Sequence, residues 1–310
     1  MHLTLQQLRL FEAVARHRSF TRAAEELHLT QPAVSIQIRR LEENAGTPLI
    51  EHLGKRFFLT PAGEAMYATA CDVLTRLRSL DDELDELADT LRGPLRLAVA
   101  TTAKYFTPHL LGRFVADHPA VVPRLVVTNR ARLIQRLGEN LDDFVIMGQV
   151  PDDLPLVAHP IIENRLVVVA HPHHPGADQA GLALPDLAGE RWLMREPGSG
   201  TRTSFERELA GQGLTIEPYM ELGSTEAIKQ AVMAGLGLSV LPMHSIELEL
   251  AAHRLVILDI AGFPLCRRWN AVHLQGKTLS RAARSFLQFL KETAEAPSGT
   301  IPAALHPLPA

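Results

Sequence analysis

The sequence predicts an α/β chain in three parts: a small helical head, one long helix, and a larger domain in which strands and helices alternate. Three observations predict it. Residues 1–60 repeat apolar positions at three and four, broken by short turns. Residues 61–92 hold a single period of 3.5. Beyond Pro94, short strand-like runs and helical stretches follow one another to about residue 295. The 310 residues suffice for two or three domains at roughly 100–200 residues each.

In the head, Leu5, Leu8, Phe11 and Ala15 share one face of a first helix. Ser19 or Thr21 can cap a second, Arg22-Ala23-Ala24-Glu25-Glu26-Leu27, by accepting from its unpaired N–H groups. After His28-Leu29-Thr30 a third helix opens, with Thr30 as cap and Pro32 in the first turn, where a missing N–H costs nothing. It runs to Glu43, and Gly46 lies beyond its end. Val34, Ile38 and Leu41 make its inner face; Gln31, Ala33, Ser35, Gln37 and Arg40 fall on the outer one. Two helices joined by so short a turn form a helix-turn-helix, whose second member enters the major groove of DNA. The outer face suits that task. Ala and Ser allow close approach, Gln pairs with adenine edges, and Arg reaches guanine or phosphate. Residues 48–53 and 56–60, joined by Gly54-Lys55, read as a two-stranded wing with Lys55 and Arg56 at its tip.

Met66, Ala70, Val73, Leu77, Leu80, Leu84, Leu87 and Leu91 are spaced alternately by four and three. This a/d seam, with Asp81, Asp82, Glu83, Asp85, Glu86 and Asp89 between its members, predicts a helix–helix pair. The alternative is packing onto the chain's own larger domain. Two paired copies would hold two heads at the separation a dyad-symmetric DNA site needs. Arg92-Gly93-Pro94 stops the helix. The net charge of −4 argues against a basic coat over the whole chain. Residues 1–60 nonetheless carry eight Lys/Arg against six Asp/Glu, and residues 61–92 three against eight, so phosphate contact is expected near the N-terminus.

Strands are expected at 95–100, 124–128, 144–148, 166–170, 192–194, 219–222, 238–241 and 255–260, with helices near 102–117, 132–140 and 280–294. The alternation predicts parallel sheets with crossover helices. About 200 residues make two lobes: lobe I from 93–162 and 268–295, lobe II from 163–267, with the last helix returning to lobe I. Residues 296–310, with four prolines, are expected to form a mobile tail. Three segments suit an anionic ligand: Thr101-Thr102-Ala103-Lys104-Tyr105, residues 196–202, and Gly223-Ser224-Thr225. Each joins a strand to a helix N-terminus and offers hydroxyls or glycines.

Phe11-Glu12-Ala13-Val14-Ala15, Ser19-Phe20-Thr21-Arg22-Ala23-Ala24, Leu29-Thr30-Gln31-Pro32-Ala33-Val34-Ser35, Leu41-Glu42 and Leu59-Thr60-Pro61-Ala62-Gly63 closely resemble the winged helix-turn-helix of LysR-type transcriptional regulators. One departure is Leu49-Ile50-Glu51-His52, where that family has Leu-Phe with Arg nearby. The resemblance and the helix pattern together give a DNA-contact set of Arg22, Thr30, Gln31, Pro32, Ala33, Ser35, Gln37, Arg39, Arg40, Lys55 and Arg56. The effector region of the family resembles two-lobed periplasmic binding proteins, with ligand in the cleft. Within the family, residues 100–106, 144–148, 195–202, 226–232 and 262–264 are similar to regulators of Calvin-cycle (RuBisCO) carbon-fixation operons. The effector set is then Thr101, Thr102, Lys104, Tyr105, Gly148, Glu196, Gly198, Ser199, Gly200, Thr201, Arg202 and Thr225.

The resemblance implies a transcriptional activator rather than an enzyme, without covalent cofactor, tuned by NADPH or a phosphorylated Calvin-cycle metabolite. It implies double-stranded operator DNA of dyad symmetry and RNA polymerase as partners, and a homodimer or homotetramer. Regulation of another metabolic operon is the alternative; a solute-binding module or enzyme with a helical assembly domain is more remote. No apolar run approaches the ~20 residues of a membrane span. Residues 1–7 lack a signal-peptide core, and Cys71 and Cys266 supply no disulfide framework, so a reduced, cytoplasmic setting is expected. His171, His173 and His174 lack carboxylates or cysteines at ligand spacing and read as a solvated loop. Gly235-Leu236-Gly237 lies between a helix and a strand, the reverse of a dinucleotide fingerprint, and reads as a tight turn. Gly198-Ser199-Gly200 is no nucleophile elbow.

Overall fold

Thr4 opens the first helix, α1 (Leu5–His17), with a reciprocal cap: its hydroxyl accepts from the Gln7 N–H, and the Gln7 side chain accepts from the Thr4 N–H. Ser19 caps α2 (Phe20–Glu26), and Thr30 caps α3 (Gln31–Ala45), which ends at Gly46 in the left-handed region. The computed structural model describes residues 3–53, 56–87 and 91–295, and divides into two compact units between Thr90 and Leu91. Leu8, Phe11, Val14, Ala23, Val34, Ile38 and Leu41 close the core of the first unit. Leu5, placed on the inner face by its spacing, is exposed instead.

The wing pairs β1 (Ile50–Leu53) with β2 (Arg56–Leu59), antiparallel, with Ile50 opposite Leu59. Its base is tied down. The Glu42 carboxylate accepts from the Leu49 and Ile50 N–H groups at 2.8 and 3.1 Å. The Thr60 hydroxyl donates to the Pro48 carbonyl at 2.7 Å and accepts from the Gly63 N–H at 3.0 Å. The long helix α4 (Pro61–Leu87) begins here, so close that a Cβ on Gly63 would stand 2.0 Å from the Leu49 carbonyl oxygen.

The heptad seam is divided along its length. Met66 and Ala70 are buried in the head's own core, while Val73 and Leu80 stay 37% and 45% exposed. The face open to a second helix therefore starts at Val73, not at Met66. The side chains of Leu84, Leu87 and the acidic residues between them lie outside the described residues, as do Asp89 and the tail 296–310.

In the second unit the chain first builds β3 (Gly93–Ala100), a helical turn at Ala103–Tyr105, α5 (Thr107–Asp117), β4 (Val121–Thr128), α6 (Arg130–Gly138) and β5 (Phe144–Met147). Here β3 runs parallel to both β4 and β5. The fifteen-residue β6 (Leu156–Ala170) then carries the chain into the second lobe. That lobe contains β7 (Leu193–Arg195), α7 (Gly200–Gly211), β8 (Met220–Leu222), α8 (Thr225–Met233), β9 (Ser239–Pro242), α9 (Glu247–Ala251) and β10 (Val256–Ile257). The return is β11 (Leu265–Leu274), followed by α10 (Arg281–Glu295).

Among the described residues, one seven-stranded sheet runs in the order β10-β6-β11-β5-β3-β4, with β9 also on β6. It is mixed, which corrects the parallel expectation: β6 and β11 are antiparallel to each other and to their other neighbours. The expected strand 166–170 is only the last third of β6. Its first half is hard to read because Pro160 and a register slip opposite Trp269 and Asn270 interrupt the alternation. Lobe I buries Phe106, Phe114, Phe144 and Phe286 between sheet, α5 and α10, as expected for the last helix. Trp192, Phe205 and Leu238 belong to the core of lobe II.

Replacing Gly63 by alanine should force the wing base and α4 apart and destabilise the chain by about 1–3 kcal/mol, the usual cost of overpacking. Chemical denaturation followed by circular dichroism measures it; an unchanged midpoint would contradict the close approach.

Candidate DNA-reading face and effector cleft

The inner residues of α3, Val34, Ile38 and Leu41, are buried, which turns the opposite face outward. Gln31, Pro32, Arg39 and Arg40 are exposed there, and Ala33, Ser35 and Gln37 are half-buried. One helical turn apart, Gln31 donates its amide Nε2 to the Ser35 hydroxyl at 3.0 Å. That bond orients the Gln31 amide on the outward face. Thr30 is occupied by its capping bond from the Ala33 N–H. Arg22 is exposed on α2, and Arg22, Arg39 and Arg40 make no ion pair among the described residues. Lys55 and the side chain of Arg56 lie outside the described residues. Sequence reasoning passed over Ile36, 54% exposed on the outer face. Its signal was available: an aliphatic residue on the outward face suits a thymine methyl. Behind this face, Arg16 pairs with Glu12 and Glu26 at 2.7 and 2.6 Å, fastening α1 to α2. Burial opposes the charge of Glu26, but hydrogen bonds from Arg16 and His17 outweigh it and hold the carboxyl below its usual range.

In the second unit a cavity opens between the two lobes, enclosing roughly 600 Å³ of space, part of it open to solvent. Two helix N-termini reach it from opposite sides. Asn129 and Arg130 begin α6 in lobe I; Ser199, Gly200 and Thr201 begin α7 in lobe II. First-turn N–H groups lack intrahelical partners and favour anions. Arg195 is buried and spans the lobes. It donates to Glu196 and Thr225 on one side and to the Thr101 hydroxyl, at 3.3 Å, on the other. Arg130 and Arg267 also line the cavity and make no ion pair among the described residues. The one carboxylate in the lining, Glu196, is held by Arg195 at 2.7 Å. The surplus of charge is positive. Three buried polar atoms on lining residues have no partner among the described residues: Arg130 Nε, Asn164 Oδ1 and Trp269 Nε1.

Family models match on both units. Residues 5–64 fit the bacterial regulatory helix-turn-helix protein of the lysR family, and residues 88–295 fit the LysR substrate binding domain. The chain belongs to the LysR family of transcriptional regulators. It is 48% identical over 290 residues to a RuBisCO operon transcriptional regulator of Allochromatium vinosum, covering 94% of this chain and 96% of that one. A RuBisCO operon transcriptional regulator of Acidithiobacillus ferrooxidans is 45% identical, covering 93% and 94%. Among solved structures, the Synechocystis CcmR regulatory domain in complex with 2-PG is 41% identical with a TM-score of 0.64, covering 66% of this chain and all but 1% of that one.

As a LysR-family regulator the chain binds DNA through its head, and its substrate-binding domain takes small-molecule effectors. Of the effector positions expected from sequence, Thr101, Thr102, Gly148, Glu196, Ser199, Gly200 and Thr201 line the cavity. The others do not. Gly198 sits beside it in a left-handed turn. Arg202 turns away to Glu206 and Glu221 and donates to the Arg195 carbonyl. Thr225 accepts from Arg195 at 3.1 Å. Tyr105 donates to Glu226, and Lys104 stands 3.9 Å from the same carboxylate, so both fasten lobe I to lobe II. Burial and the bond to Glu226 hold the Tyr105 phenol far above its ordinary range. Asn129, Arg130, Gln149, Asn164, Ser204, Arg267 and Trp269 were missed, because the fold rather than any local motif brings them together.

A second fastening lies behind Tyr105. Lys229 is buried, bonded to Glu226 at 3.1 Å, Glu249 at 2.8 Å and the Ser245 carbonyl at 3.0 Å, with the Tyr105 ring 4.9 Å away. Nearby, His244 donates Nε2–H across the lobes to the Thr102 carbonyl at 3.1 Å. The histidine loop expected from sequence is built on backbone capping: ring nitrogens of His171 and His174 accept from the His173 and Gly176 N–H groups. Gly237, in the expected tight turn, passes so near Arg191 that a Cβ would lie 2.0 Å from its carbonyl oxygen. Among the described residues no three His, Cys, Asp or Glu side chains are grouped to hold a metal, and no helix is long and apolar enough to cross a membrane.

Two outcomes follow from this geometry. Gln31→Ala should weaken specific operator binding by about 1–3 kcal/mol with little change on random DNA, whereas Arg40→Ala should lower both. Fluorescence anisotropy at fixed salt distinguishes them; equal losses for Gln31→Ala would remove it from base reading. Burial pushes the His244 imidazole from 6.5 down to about 4, against a smaller upward pull from the Thr102 carbonyl. Between those values the unfolded chain binds the proton and the native one does not. Stability is therefore complete above about pH 6.5 and declines with acid, by roughly 3 kcal/mol by about pH 4. His244→Gln should show a shallower decline in urea denaturation series, and identical slopes would refute the assignment.

Proposed function

We propose that this chain activates carbon-fixation (RuBisCO, Calvin-cycle) genes in response to a small phosphorylated metabolite. What carries the reading is the identity of 48% to a RuBisCO operon transcriptional regulator across 94% of the chain, head and effector domain alike. The proposed division is 1–60 for DNA reading, 61–92 for connection and self-association, and 93–295 for the effector. Lobe I comprises 93–162 and 268–295, and lobe II comprises 163–267. DNA contact is assigned to Arg22, Gln31, Pro32, Ala33, Ser35, Gln37, Arg39 and Arg40, supported by their outward position on α2 and α3. A homodimer formed along α4 beyond Val73, or a tetramer of two such pairs, would present two heads to dyad-symmetric operator DNA in the cytoplasm, beside RNA polymerase.

The cationic cleft supports a phosphorylated ligand. Relative CcmR holds the small molecule 2-PG. The ligand acts by binding one inter-lobe arrangement more tightly than the other, which shifts the populations of the two.

The test is a titration of the full chain against a carbon-fixation promoter fragment and a scrambled control. It is run at fixed salt, alone and with ribulose bisphosphate or NADPH. Selective binding that shifts with the phosphorylated sugar is expected, and Arg130→Ala should reduce the shift about tenfold without altering ligand-free DNA affinity. A shift with NADPH alone would replace the effector assignment, and a lack of promoter selectivity would overturn the operon assignment.

A further inference from the structure

We propose that Asn164 makes the cleft selective for an anion that also carries a hydroxyl group; this rests on the reading of the cleft as an anionic-effector site. Asn164 lies midway along β6 and is the register partner of Arg267 on β11, so both side chains leave the sheet on the same face. It is 7% exposed, and its Oδ1 is buried with no donor among the described residues. Trp269 Nε1 and Arg130 Nε, on the same lining, are buried donors with no acceptor.

These atoms ask for different things. Arginine and tryptophan nitrogens only donate, so any phosphate or carboxylate oxygen serves them. An amide oxygen only accepts, and it repels an anionic oxygen. With the amide held in this orientation, a ligand placed against Asn164 Oδ1 must bring an O–H or N–H, or it leaves the amide oxygen unpaired in a buried site. Gly148 leaves space on the Nδ2 side of the same amide: a Cβ there would stand 3.7 Å from both Asn164 Nδ2 and the Trp269 ring. The ligand so described has its charge toward Arg130 and Arg267 and a hydroxyl toward the middle of β6. Bare phosphate answers only the first demand.

The experiment is calorimetric titration of the full chain with 3-phosphoglycerate and with 2-carboxyethyl phosphate, which differs by lacking the hydroxyl. The wild type should prefer the hydroxylated compound by roughly 10- to 100-fold, the range of one hydrogen bond to a buried polar group. Asn164→Leu, similar in volume, should reduce that ratio to about twofold or less by weakening the hydroxylated ligand only, and Asn164→Ala serves should the leucine variant not fold. Equal affinities in the wild type, or a ratio that survives both substitutions, would overturn the inference while leaving an anion site in place. Binding of neither compound, together with no heat of binding for inorganic phosphate titrated directly, would overturn the anion reading and the inference with it.

Discussion

The antiparallel pairing of β6 with β11 runs from Leu166 opposite Leu265 to Leu156 opposite Leu274 and passes from one lobe to the other without leaving the sheet. The geometry of the cleft hangs on it. A loop hinge would let two lobes swing over a wide range, because loops carry few fixed hydrogen bonds. A two-stranded ribbon restricts them to twisting and bending about one place. Asn164, Arg267 and Trp269 stand on that ribbon, so the floor of the cavity is rigid backbone while its walls come from the helix N-termini of either lobe. A ligand that touches both floor and wall reports directly on the inter-lobe angle.

Around the ribbon, polar contacts hold the present angle. Arg195 to Thr101, Tyr105 to Glu226, and His244 to Thr102 all cross from one lobe to the other. The middle one is backed by Lys229, a buried cation that two carboxylates and a carbonyl oxygen share. Buried ion pairs contribute little net stability, because desolvation offsets most of the Coulombic gain, but removing one partner is costly. Contacts of this kind across the lobes favour one discrete arrangement over a continuum. Differential ligand binding acts on states of that kind.

The head was legible because its signals are local. Ser19, Thr30, Pro32 and Gly46 mark helix boundaries through the hydrogen-bonding needs of a few adjacent residues, and Val34, Ile38 and Leu41 mark a face by spacing alone. The heptad run of α4 was equally plain, yet spacing could not say what each position packs against, and Met66 and Ala70 turned inward to the head. In the larger domain, β3, β5 and the last helix were readable from apolar pattern. The first half of β6 was not: Pro160 breaks the period, and Glu163 and Arg165 are paired on the outer surface. The cleft followed the same rule. Segments at strand–helix junctions, such as Thr101-Thr102 and Ser199-Gly200-Thr201, announced themselves, whereas Asn164 and Arg267 became neighbours only through pairing of strands about a hundred residues apart. Tyr105, Lys104 and Arg202 looked like ligand groups because isolated residue chemistry reveals neither Glu226 on the lobe opposite the first two nor Glu206 and Glu221 beside Arg202 in its own lobe.

The burial of Met66 and Ala70 has a mechanical meaning. Recognition helix, wing and the opening turns of α4 share one core, and the tight seat of Gly63 on Leu49 leaves no joint between them. They travel as a single stiff arm. With a rise of about 1.5 Å per residue, each turn of α4 past that core lengthens the arm by about 5.4 Å. A small rotation applied at its far end would displace the outward face of α3 in proportion to that length, with no slack taken up at the head.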